Sequence, residues 1–402
     1  MKSPAVPSLI REINERRALE VLRTHGALHA AEIARHVGLS RTTTSEILRD
    51  LVEMKLVQEF TPGEDDSKRA KLVYEAITDV NISLAIDIGA RFIRAAIGDL
   101  NSRIRAEEFV AMKNHSLSEI FENIELAASK ALKDSGFKRR DIISICVAAP
   151  GIIQRNGIIS IAGAIPSLDG VDLASFFREE FGIEPQIEND VNMLTVAEQI
   201  NGHGKGVMNF AVLSIGSGLG AGLVLNGELH RGHSGAAGEV FWVPFGNPSD
   251  NSRGDANPSG DSIADLARTL RNKFRKKFEK SILSEPFTMI EIVSAAKAND
   301  LLGKAIIEEE AKRISLYIGA IAAVTDVEIV VLSGGIGRQA GFFLEPIINF
   351  VNNYVPIPPK IVVSDLGADA ILVGALQIAT YEACEKSYSA TRKNFNKLSE
   401  IS

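Results

Sequence analysis

Cysteine is nearly absent from this chain: there are two among 402 residues, Cys146 and Cys384. So few thiols exclude a disulfide-stapled scaffold and any zinc knuckle built from several cysteines, and they suit a reducing compartment. Aromatic residues are sparse at 6%, and Trp242 is the single indole available to any stacking site. Long apolar runs are missing too. A membrane span needs about 18 apolar residues in succession, and the longest candidate, YIGAIAAVTDVEIVVL, is interrupted by Asp326 and Glu328. The opening MKSPAVPSLIREINERR lacks the apolar core of a signal peptide. A soluble, cytoplasmic protein with no membrane partner is expected. What is present is ordinary for a globular chain of two or three domains: 45% hydrophobic and 24% charged residues. The net charge of -7 is unevenly placed, because residues 1–78 hold twelve residues of each sign and the acidic excess lies wholly beyond them. That asymmetry hints at a separate function for the front segment.

Three short helical patterns open the chain. Leu9 to about Thr24 places Ile10, Ile13, Leu19 and Leu22 near one face, His29 to Val37 spaces Ile33 and Val37 four apart, and Ser40 to about Lys55 aligns Ile47, Leu51 and Met54. Gly38 suits a left-handed cap and Ser40 an N-cap. Helix, tight turn, helix is the layout that offers the start of its second helix to base edges in the major groove. That start reads RTTTSE: Arg41 suits a guanine edge or a phosphate, and Thr42, Thr43, Thr44 and Ser45 offer short hydroxyls and methyl groups. Two strand-like pieces, LVQEF and AKLVYEA, then flank TPGEDDSKR, a wing whose tip carries Lys68 and Arg69. Glu64, Asp65 and Asp66 beside that pair oppose phosphate attraction. The plainer alternative is a three-helix packing module that touches no DNA.

From about Asn81 the pattern becomes short apolar strands, glycine turns and amphipathic helices, the mix of an α/β fold. SLAIDI, FIRAAIGD and IRAEEFV predict a meander, and later strands are IISICVA, NFAVLSI, AGLVLNG, EIVVLSG and KIVVSD. Helices are expected over 117–133 and around 190–200, 262–278, 304–325 and 368–382. LAIDIGARFIRAAIGD and FAVLSIGSGLGAGLVLNG are both strand, glycine turn, strand, an internal echo expected of a duplicated fold with a ligand between two lobes.

SIGSGLGAGLVLNGELHRGHSGAAGE, residues 214–239, resembles the signature of the ROK family, which groups sugar-responsive repressors with sugar kinases. The likeness extends over roughly 81–380, and the winged helix in front resembles the repressor branch. It implies an α/β chain with an N-terminal winged helix-turn-helix domain over 1–78. A two-lobed, actin-like (ribonuclease H-like, sugar-kinase) domain follows over 79–402, as a homodimer or a dimer of dimers.

The resemblance also places site residues. In IENDVNMLTVAE, Asp190 stands where the family's kinases have their catalytic base, with Asn189 beside it. Carboxylate plus amide suits a polyol, although both residues could simply cap the helix that follows. Gly216 and Gly218 resemble the second phosphate hairpin, and Gly334 and Gly335 the adenosine turn; each pair could equally be packing glycines. In the first hairpin Asp87 and Gly89 persist, but Ala90 and Arg91 replace the family's glycine and threonine, which argues against ATP binding. Glu239 remains from the motif Gly-Glu-x-x-His, while Trp242 takes the place of the histidine that touches sugar and, in many members, ligates zinc. The indole is either a packing residue or a platform under a sugar ring. The loop that follows, NPSDNSRGDANPSGDS, has no cysteine, so neither zinc nor another cofactor is expected. Ser167 falls at the pocket rim where relatives often have asparagine, His230 and His233 read as polar loop residues, and Asp261 is the nearest acid for the family's last sugar-binding glutamate.

The implied protein is not an enzyme. It is a regulator, more a repressor than an activator, that binds double-stranded operator DNA and answers to a sugar-like effector in a degenerate kinase cleft. The alternatives are a sugar kinase carrying a DNA-binding domain, and a DNA-binding protein with a vestigial pocket that is constitutive or answers to a protein partner.

Overall fold

The computed structural model describes residues 7–61, 72–245 and 257–399. The front segment forms helices Pro7–His25, Ala30–Val37 and Arg41–Glu53, followed by antiparallel strands Val57–Phe60 and Val73–Ala76. Each junction has a local cause. The Glu32 carboxylate accepts the His29 N–H at 3.0 Å and starts the second helix. Gly38 ends it at φ 75°, donating its N–H to Ala34, a conformation glycine adopts without strain. Ser40 caps the third helix by accepting the Thr43 N–H at 3.1 Å. In the first helix the buried stripe runs through Glu15, Ala18, Leu19 and Leu22, whereas Ile10 and Ile13, expected on the inner face, stay about half exposed.

Two five-stranded sheets, their helices and the small hairpin Ile152–Ile153 with Ile159–Ser160 make up the rest. In the first, the spatial order is Ile104–Ala111, Phe92–Gly98, Ile82–Ile88, Ile142–Ala149, Gln186–Asn189. In the second it is Glu228–Leu229, Leu219–Leu225, Phe210–Ile215, Ile329–Ser333, Lys360–Val363. Numbered by appearance within its own lobe, each sheet reads 3-2-1-4-5, with an antiparallel meander on one side and parallel crossovers on the other. The echo in the sequence is thus a duplicated lobe.

Strand Ile82–Ile88 shows how one residue pattern builds two faces. Ile82, Leu84, Ile86 and Ile88 enter the core of the first lobe, while Ala85 joins a separate cluster with Ala96, Cys146 and Ala148. This small-residue face admits two helices, Asp190–Asn201 and Ala370–Ser399. On the first of these, Met193 and Val196 pack toward the first sheet and Leu194 and Ala197 toward the second. A Cβ on Gly374 would lie 1.9 Å from the Met193 carbonyl, and one on Gly222 1.9 Å from Thr195 Oγ1, so only glycine permits these approaches.

The helix expected near 368–382 is longer, Ala370–Ser399. Its first half bonds the first lobe through Ser83–Thr380 at 2.9 Å and Ser144–Glu382 at 2.8 Å. Its second half enters the front domain, where Tyr388 is buried in the core and Phe395 packs against it. The Tyr388 hydroxyl donates to Glu15 at 2.6 Å, and Glu15 is fully buried. Arg392 and Arg11 flank the same carboxylate at 3.1 and 3.3 Å as charge contacts that lack hydrogen-bond alignment. Arg16 adds an ion pair with Glu385 at 2.9 Å and lies over the Tyr388 ring. Among the described residues no helix is long and apolar enough to cross a membrane.

Candidate effector cleft and DNA-reading helix

Strand alternation brings Asp87 to the cleft side of its sheet, two residues beyond Ala85, and leaves it buried. Asn189 and Asp190 stand where the fifth strand of that sheet becomes the central helix. Glu239 precedes a short turn, Val240–Trp242, packed against the second sheet: a Cβ on Gly238 would lie 1.8 Å from the Ala221 carbonyl. The three carboxylates act on one another. Burial, and then the Asp190 carboxylate, push Asp87 up to about 7, against the pull of Arg94. Burial raises Asp190 to about 6 although it accepts the Val191 N–H, and burial together with Asp190 raises Glu239. With Asp87 raised to about 7, this part of the cleft can offer a protonated carboxyl as donor as well as carboxylate acceptors to hydroxyls.

Asn189 spends most of its polarity on the fold. Its carbonyl accepts the N–H groups of Val191 and Asn192 at 2.9 and 3.1 Å, and its amide donates to Gly151 at 2.9 Å, leaving one N–H for a ligand. The helix-cap reading therefore holds for Asn189, with a remnant of binding capacity. Ser167 is likewise engaged, donating to the His115 carbonyl. The His115 ring in turn meets the Ala90 carbonyl at 2.6 Å.

That contact bears on the first hairpin. The Gly89 N–H closes the turn onto Phe92 at 3.0 Å, and the Arg91 carbonyl accepts from Met112 at 2.9 Å. These contacts shape the turn; what departs from a triphosphate cradle is the Ala90 Cβ and the Arg91 side chain, which stand where the family likeness places a glycine and a threonine. The other glycines divide by role. Gly216 donates to Gly218 at 2.9 Å and accepts from Gly260 at 2.9 Å, and Gly334, at φ 81°, would set a Cβ 2.5 Å from the Ile215 carbonyl. Those two hold close-packed backbone, while Gly218 and Gly335 adjoin open space. A zinc site does not fit either: Trp242 stands in the histidine position and is 39% exposed, and Cys146 and Cys384 are buried in other clusters. The side chain of Asp261 lies outside the described residues.

Sequence reasoning passed over Arg94, which pulls on Asp87, and Arg231, which bonds Glu188 at 2.7 and 2.6 Å just ahead of Asn189. Their partners are remote in sequence or reached by pleating, so no motif spacing announces them.

On the reading helix, Arg41, Thr42 and Ser45 are exposed. Thr43 is half-buried and its hydroxyl pairs with Ser40 at 2.8 Å. Thr44 corrects the expectation: it is 1% exposed and donates to the Ser40 carbonyl at 2.9 Å. It sits on the inward stripe with Ile47, Leu48 and Leu51, so it cannot reach DNA. Arg49, unnoticed in the sequence, is 65% exposed and shares the outer face with Thr42 and Ser45 by helical spacing. Lys68 and Arg69 lie outside the described residues.

Comparison with known proteins agrees with this layout. Residues 17–59 match the IclR helix-turn-helix domain. A xylose repressor from Caldicellulosiruptor bescii is 25% identical over 399 residues, covering 92% of this chain and 96% of that protein. A glucokinase from Halalkalibacterium halodurans is 25% identical over 306 residues, covering 72% of this chain and 92% of its own length. Among solved structures, a ROK family transcriptional regulator, a homologue of the E. coli MLC protein, superposes with a TM-score of 0.76 at 19% identity, covering 94% of this chain and 99% of that one. The sequence model of the ROK family itself runs from residue 83 to 382, through both lobes and into the long last helix. The chain belongs to the ROK family.

Proposed function

We propose that this protein is a DNA-binding transcriptional repressor of carbohydrate-metabolism genes. On this reading a sugar or sugar derivative binds beside Asp190 and Glu239 and alters the pose of the winged helix. One observation carries it. The helix that begins at Asp190 packs against the helix Ala370–Ser399, whose far half completes the core of the DNA-binding domain. A ligand that closes the lobes on Asp190 therefore acts on an element built into both domains. Only a ligand with unequal affinity for the two poses shifts DNA binding.

On this reading the cleft no longer transfers phosphate: Asp190 is retained, but Ala90 and Arg91 replace the glycine and threonine of the family's first phosphate hairpin. A coupled ATPase assay across a hexose panel, with Asp190→Asn as control, is expected to show no turnover that depends on Asp190. Turnover abolished by that substitution would instead support a kinase carrying a DNA-binding domain. The regulator acts as a dimer on a palindromic operator with half-sites about one helical turn or more apart. Fluorescence anisotropy on operator DNA at fixed salt, with and without neutral sugars, tests the main reading. Weakened binding with at least one sugar is expected, and indifference to every sugar would leave the pocket vestigial.

A further inference from the structure

We propose that the effector carries a second sugar ring, and that a cavity beside the carboxylate cleft holds it. The proposal rests on the effector reading above and narrows it to disaccharides. The cavity measures about 480 Å³, within the range of small-molecule sites. One wall is the hairpin formed by strands Ile152–Ile153 and Ile159–Ser160, and the other is loop 232–242. Backbone contact locks these walls together. Gly235, at φ 83°, lies so close that a Cβ there would be 2.2 Å from the Ile153 carbonyl.

Both walls of the cavity are tied through the chain to residues of the inner group. Ile152 follows Gly151, whose carbonyl receives the Asn189 amide at 2.9 Å. On the loop side, the Glu239 N–H donates to the Ala236 backbone carbonyl at 3.3 Å and the Trp242 N–H to the Glu239 backbone carbonyl at 3.1 Å. The cavity lining shares no residue with the carboxylate group but continues from it along both chain segments, so a second ring here would extend from a first held by Asp190 and Glu239.

The lining names the chemistry. Gln154 and Asn156 contribute amides, Ser160 and Ser234 hydroxyls, and Arg155 and His233 further nitrogen groups. Among the described residues no carboxylate lines this cavity, whereas the inner cleft has three. Trp242 presents the only indole of the chain to it, and an indole face packs against the C–H face of a pyranose. Amides, hydroxyls and one flat aromatic suit a neutral polyhydroxylated ring.

The test is calorimetric titration of the full chain with cellobiose, xylobiose, maltose and sucrose against glucose, xylose and fructose. At least one disaccharide is expected to bind about tenfold tighter than its component monosaccharides. The double variant Asn156→Ala and Ser234→Ala, both surface positions, is expected to erase that advantage and leave monosaccharide affinity within about twofold. Monosaccharides that bind as tightly as every disaccharide would overturn the second-ring proposal and spare the effector reading. A disaccharide advantage that survives the double variant would overturn the location. Binding by neither class would remove the effector reading and this proposal together.

Discussion

Asp87 keeps its proton to about pH 7 because it is buried on the small-residue face of its strand with Asp190 beside it. In an unfolded chain an aspartate titrates near 4. The folded form therefore binds the extra proton between those values, so this group's contribution to stability falls as pH rises from about 4 to 7 and the full penalty applies above 7. Asp87→Asn, nearly isosteric, should be more stable than the parent at pH 8 by up to about 4 kcal/mol. The gain should vanish toward pH 4. Urea unfolding at both pH values reads it, and an equal gain at both would show that charge is not the source. Asp190, raised to about 6, acts in the opposite sense on ligand. If its carboxylate accepts sugar hydroxyls, affinity should drop below pH 6 by up to about tenfold per pH unit. Asp190→Asn should bind weakly and lose that drop below pH 6. Thr44 belongs to the fold, so Thr44→Val should cost about 1 kcal/mol of stability while base preference, measured on an operator library, stays unchanged.

The two elements that carry information were unequally visible in the sequence. The reading helix announced itself because its signals are local: a left-handed Gly38, the Ser40 cap and apolar spacing across four turns. The last helix announced only its first half. Beyond Tyr381 its residues turn polar, and two partners that hold them, Glu15 and Arg16, lie more than 360 positions earlier. Spacing along a chain cannot report a face that packs on so distant a segment. Helices Leu173–Phe181, Met289–Lys297 and Leu344–Tyr354 were passed over for another reason: each is short, and a brief apolar stretch does not separate a helix from a strand. The docking contact makes its own prediction. Tyr388→Phe strips Glu15 of its 2.6 Å donor, at a cost of about 1–3 kcal/mol for a buried acceptor. That loss falls on domain docking. Sugar affinity by calorimetry should be unchanged, while limited proteolysis releases the winged helix faster and the sugar-induced change in operator affinity shrinks.

At the scale of the molecule, a strand order of 3-2-1-4-5 in both sheets accounts for the repeated strand, glycine turn, strand pattern. The repetition was legible from residue types alone, whereas the actin-like arrangement was reached through the family likeness. The cleft was legible in part. Asp190 and Glu239 came from motif positions, but the saturation of Asn189 and the burial of Thr44 depend on hydrogen bonds that no motif encodes. If two winged helices act together, footprinting should reveal two symmetric half-sites, and protection of a single half-site by a monomer would exclude a coupled pair. The long final helix also bears on biosynthesis. The DNA-binding domain leaves the ribosome first, about three hundred residues ahead of Tyr388 and Phe395, which finish its core. Translation thus sets an order of maturation: a chain cut off before Tyr388 lacks the side chains that complete the core of its reading head, and such a truncation should bind operator more weakly.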